Sequence, residues 1–77
     1  MQLTEGFRRE VELHWGNPKK VANVGLSEIL EHGDEISLDY DDQIRYALRI
    51  GVLAGETKDQ GSSVFIERFE KEILNEE

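Results

Sequence analysis

The longest apolar pattern in the chain runs from Asp39 to Gly55, DYDDQIRYALRIGVLAG. Ile44, Ala47, Leu48, Gly51 and Gly55 fall at helical spacing, with Tyr40 one turn earlier, and define one apolar face. Tyr46, Ile50 and Leu53 define a second, and Val52 lies beside the first. Only Asp42, Arg45 and Arg49 remain as a narrow charged strip. A helix apolar almost all round is normally covered on several sides. The segment therefore predicts a central helix over 40–54, with Leu48 in the core. It is shorter than the about 20 mostly apolar residues that a membrane span requires.

The flanking segments predict further helices. Thr4 suits an N-cap, and Leu3, Phe7, Val11 and Trp15 recur every four residues up to Gly16, which suits the C′ position. Asn17-Pro18 is a strong helix start, because proline at the first helical position has no N–H to leave unpaired. Val21, Ala22, Gly25, Leu26, Ile29 and Leu30 then form a broad stripe, with Gly25 or a recap at Ser27 as the place for a kink or break. After a polar loop, GETKDQGSS, bounded by Gly55 as C-cap and Gly61, Ser62 or Ser63 should cap a last helix. Its stripe is Phe65, Ile66, Phe69 and Ile73. Glu67–Lys71 and Arg68–Glu72 are i,i+4 pairs on that helix, and the last three residues are expected to fray.

This pattern predicts an all-α fold, a bundle of about four helices in a single domain over 1–77. Two segments leave an alternative open. Residues 10–15 and 35–40 each alternate apolar and polar positions, and paired as a short two-stranded sheet they would make the domain α+β.

Composition narrows the picture. A core of this size rarely supplies more than roughly 3–5 kcal/mol of net stability, and there is no cysteine to add a disulfide or a thiolate metal site. A homodimer or a tightly held partner is therefore expected. With no cysteine and no signal-peptide-like apolar stretch in MQLTEGFRRE, a cytoplasmic location is expected. The net charge is −8 and unevenly placed: residues 21–77 hold 14 acids against five bases, whereas residues 1–20 hold three against four. Such a chain repels phosphate backbones, which argues against direct nucleic-acid binding.

Motifs for chemistry fail on spacing. GVLAGETK has Glu56 where a phosphate loop needs lysine, and it ends a helix rather than opening one. Its glycines, Gly51 and Gly55, instead suit a close approach by another helix. Asp39, Asp41 and Asp42 suggest a calcium loop, but Ile44 and Ile50 stand where that loop needs glycine and glutamate. Acids in the first turn instead complement the helix dipole. His14 and His32 have no ligand-type spacing, and no serine has the strand–turn–helix setting of an activated nucleophile. Neither an enzyme, a cofactor nor a metal is expected.

The acidic run is more specific. Glu28, Glu31, Asp34, Glu35, Asp39, Asp41 and Asp42 occur with no base between them. Folded as helix end, link and helix start, they would gather at one end of the molecule. They would solvate the surface or form a negative patch that docks on a basic site of another protein. Part of the same stretch, LSEILEHGDEISL from Leu26 to Leu38, resembles the N-terminal part of small acidic antitoxins of the Phd/YefM type, where a helix, a glycine turn and a strand follow in that order. The resemblance covers 13 of 77 residues. It stops at DYDDQIRYALRI, which begins a long helix where that family continues with a basic turn and another strand.

Two functions are expected from these features. The first is an acidic inhibitor or regulator that occupies the nucleic-acid-binding surface of a partner protein; a phage or mobile-element counter-defence protein would have this size and charge. The second is a helical subunit or homodimeric adaptor with mainly apolar contacts, anchored by Trp15 or by an exposed Tyr46–Ile50–Leu53 face.

Overall fold

Four α-helices and a closing π-turn follow one another in the computed structural model, which describes residues 3–32 and 38–74. Helix α1 spans Glu5–Leu13, α2 Pro18–His32, α3 Tyr40–Glu56 and α4 Ser62–Phe69, and a π-helical turn, Glu70–Leu74, continues α4. The fold is the all-α bundle that the periodicity predicts. Residues 10–13 belong to α1, so the first of the two candidate strands is helical. Residues 33–37, which hold half of the second and the glycine turn of the antitoxin-like stretch, lie outside the described residues. Tyr40 already belongs to α3.

Local chemistry sets each start. Thr4 stands in an extended conformation before α1, and its Oγ1 accepts from the Phe7 N–H at 3.1 Å. Asn17 Oδ1 accepts from the Lys20 N–H at 3.3 Å in front of Pro18. Asp39 caps α3, accepting from the Asp42 N–H at 2.8 Å. The start of α4 differs from expectation. Gly61, at φ +108°, occupies the N-cap without a side-chain hydrogen bond, and Ser62 is already helical. The end of α3 also differs: the helix continues past Gly55 to Glu56, and Thr57 closes it. Thr57 is fully buried, and its hydroxyl donates to the Leu53 carbonyl at 2.8 Å. A buried threonine that satisfies a late carbonyl does the work expected of the glycine.

The core joins all four helices. Phe7 and Val11 of α1 meet Val21, Ala22 and Ile29 of α2, Ile50, Leu53 and Ala54 of α3, and Phe65, Ile66, Phe69 and Ile73. Phe7 stacks on Phe69 at 5.2 Å between ring centroids, Phe69 on Phe65 at 5.8 Å, and Trp15 tilts onto Phe65 at 5.5 Å. The Trp15 Nε1–H donates to the Lys58 carbonyl at 3.1 Å, which ties the α1–α2 turn to the α3–α4 loop. α2 is one continuous helix, with no break at Ser27. Its Gly25 is the tight crossing: a Cβ there would lie 3.0 Å from Ile50 Cγ2 and 3.2 Å from Phe69 Cε2. At Gly51 the nearest neighbour is Ala22 Cβ at 3.7 Å, an ordinary contact, and at Gly55 the space is open. The close-approach glycine is thus Gly25, on the helix opposite the one expected.

Candidate functional site

α3 is covered by α2 on one side and by α4 with the π-turn on another. No other described element packs on its third side. Ile50, Leu53 and Ala54 face inward and are buried, and Tyr46 is half-buried beside them. Tyr40 is 75% exposed, Ile44 44%, Leu48 64% and Val52 61%. Leu48, expected in the core, is therefore a surface residue. The two anchors expected of an apolar adaptor are placed the other way round: Ile50 and Leu53 are core, and Trp15 is packed on Phe65. The reason is the number of walls. Two neighbouring elements cover two sides of α3 and leave a third apolar side in contact with solvent.

That open side is shaped. Ile44, Leu48 and Val52 stand one turn apart as a ridge along α3. Beside it runs a trough of about 500 Å³ between α2 and α3, lined by Ala22, Ala47 and Gly51, with Lys19 and Asn23 on the α2 side. Ala22, Ala47 and Gly51 present at most a methyl group, so the bottom of the trough is shallow and apolar. Ala22 sits against Gly51, and Gly25 against Ile50. The N-terminal half of α2 thus lies along the C-terminal half of α3. Lys19, one turn before Ala22, falls near the C-terminal end of α3, whereas Asp41 lies on the exposed side one turn before Ile44. An acid stands at one end of this surface and a base at the other.

The seven acids of the run are placed unequally. Glu28 is buried, with 5% of its surface exposed. Its Oε2 accepts from the Thr4 N–H at 3.0 Å and lies 3.1 Å from Thr4 Oγ1, so this carboxylate holds the cap of α1 against α2. Glu28 follows the buried Val21 by seven residues, which places it about 20° from Val21 at the edge of the α2 stripe, the one signal in the sequence for an internal position. Asp39 is the exposed N-cap of α3, Asp41 is exposed in its first turn, and Asp42 is half-buried there. Glu31 is exposed near the end of α2. Asp34 and Glu35 lie outside the described residues.

Polar pairs elsewhere belong to the surface of the fold. Arg68 meets Glu72 at 2.6 Å and Glu56 at 3.1 Å, joining α4, the π-turn and the end of α3. The Glu72 hydrogen bond raises the guanidinium pKa, with partial desolvation opposing it, and the Arg68 hydrogen bond lowers the Glu72 pKa. Lys71 and Glu67 form the other expected i,i+4 pair at 3.4 Å. His14 Nε2 lies 3.4 Å from Glu10 Oε2, a contact within one turn. Among the described residues no three histidine or acidic side chains gather as a metal site, and no helix is long and apolar enough to cross a membrane.

Comparison with protein-family models, with curated proteins and with solved structures finds no match to this chain. Function therefore rests on the site itself. A shallow apolar trough beside an apolar ridge can bury another helix by interdigitation.

Proposed function

We propose that this protein is a small helical interaction module, a subunit or adaptor that binds another polypeptide through the open side of α3. The observation that carries this reading is the ridge of Ile44, Leu48 and Val52 standing in solvent beside the trough over Ala22, Ala47 and Gly51. Leaving three large aliphatic side chains exposed in one row costs hydration free energy, which association recovers. Nothing in the internal packing needs them there.

The acidic-inhibitor reading keeps, among the described residues, the exposed Glu31 at the end of α2 and Asp39 and Asp41 at the head of α3. Glu28 takes no part in it, being committed to Thr4. The two readings separate by salt and by variant. Binding through the ridge should change little with added salt and be lost in Leu48→Glu. Docking of acids on a basic partner should weaken steeply with salt and survive that substitution. A complex captured with the wild-type chain and unaffected by Leu48→Glu would refute the apolar reading.

A further inference from the structure

We infer that the occupant of the trough is α3 of a second copy of this chain, in an antiparallel two-fold dimer centred on Leu48. The inference rests on the apolar reading of the α3 surface and adds the identity of the partner.

The first support is shape. A two-fold interface must be self-complementary, because the same patch appears on both sides. Here the ridge and the trough lie side by side on one surface. Apposing two such surfaces about a two-fold axis seats each Ile44–Leu48–Val52 row over the Ala22–Ala47–Gly51 trough of the other. The floor of the trough presents only methyl groups and a glycine, and its walls are the ridge itself on α3 and Lys19 and Asn23 on α2.

The second support is charge. Asp41 precedes Leu48 by seven residues and Gly55 follows it by seven, so each lies about 10 Å from the dyad along the helix. Lys19 comes one turn before Ala22, which faces Gly51, and the Trp15–Lys58 hydrogen bond ties the approach to α2 to the residues after α3, so Lys19 lies on the C-terminal side of Leu48. In the antiparallel arrangement Asp41 of each copy therefore comes over Lys19 of the other, and the contact is made twice. A parallel arrangement would instead bring Asp41 against Asp41 and Lys19 against Lys19. Charge thus selects the direction of the helices, while the apolar ridge supplies the binding.

Sedimentation equilibrium on the full chain over a wide concentration range tests this. The wild type should be a reversible dimer, and Leu48→Glu should be a monomer with unchanged circular dichroism. Lys19→Glu and Asp41→Lys should each weaken the dimer about tenfold, since each turns two attractive pairs into repulsive ones. The double variant, Lys19→Glu with Asp41→Lys, should restore it. Failure of that restoration would overturn the antiparallel geometry, and a dimer that persists in Leu48→Glu would overturn the α3 interface. A wild type that is monomeric at every concentration would overturn self-association altogether. In that last case the apolar reading is judged separately: it stands if Leu48→Glu abolishes capture of a different protein, and falls with the dimer if it does not.

Discussion

α3 carries two aliphatic rows of similar composition that meet opposite fates. Ile50, Leu53 and Ala54 are buried against α2, α4 and the aromatic stack of Phe65 and Phe69, and Ile44, Leu48 and Val52 face solvent. Residue type does not separate them, and neither does periodicity. What separates them is the number of neighbours the chain can supply. With α1 packed against α2 and α4, no described element is left to lie over the third side of α3. In a chain this short, an all-round apolar helix marks a shortage of walls, and the uncovered side becomes the candidate interface.

The contrast can be broken by mutation, most strongly at the inward row. Ile50→Ala should lower the unfolding free energy by about 2–5 kcal/mol, enough to unfold much of the population at ambient temperature, as chemical denaturation would record. The glycines sharpen the contrast through sign. Gly25→Ala places a methyl group against Ile50 and Phe69, both fully buried and unable to move aside. Overpacking of about 1–3 kcal/mol then outweighs the about 1 kcal/mol gained in helix propensity, so the variant should melt lower. Gly55→Ala, on the open side with nothing within 4 Å, should melt higher by the propensity gain alone, about 0.5–1 kcal/mol. Leu48→Ala should change monomer stability by no more than about 0.5 kcal/mol, against the several expected at Ile50.

The smallest expected effect is electrostatic and lies where the end of α3 meets α4. The folded-state pKa of Glu72 is lowered by Arg68, so the unfolded chain binds more protons as the solution is acidified through the glutamate range. The contribution of this pair is therefore full at neutral pH and is lost as pH falls through the lowered folded value. Glu72→Gln should lower neutral stability slightly, leave acid stability as it is, and so flatten the acid limb of the stability curve. A steeper acid limb in that variant would contradict the assignment.

Much of the fold was legible because local signals agreed with one another. Thr4 and Asn17-Pro18 each cap the helix they precede, and Phe65, Ile66, Phe69 and Ile73 form the buried stripe that their spacing predicts, whereas the cap of α3 is Asp39, an acid read only as part of the run. The misreadings share a physical origin. Leu48, Gly25, Glu28 and Thr57 all depend on which neighbour lies across from them, and spacing along one helix carries no information about that. Glu28 looked like one acid among seven and is the internal partner of Thr4, 24 residues away in sequence. The candidate surface was half legible: Ile44, Ala47, Leu48 and Gly51 were grouped correctly as one face, and its direction, toward solvent, depended on the walls.

The division of α3 into a folding side and a binding side is tested most directly by melting temperature as a function of protein concentration, wild type beside Leu48→Glu. A ligand or partner that binds only the folded state raises the melting temperature by mass action. The wild-type value should climb with concentration. The Leu48→Glu value should stay level, at the wild-type value found on extreme dilution. A Leu48→Glu curve displaced downward by the same amount at every concentration, dilution included, would place Leu48 in the core and contradict the account.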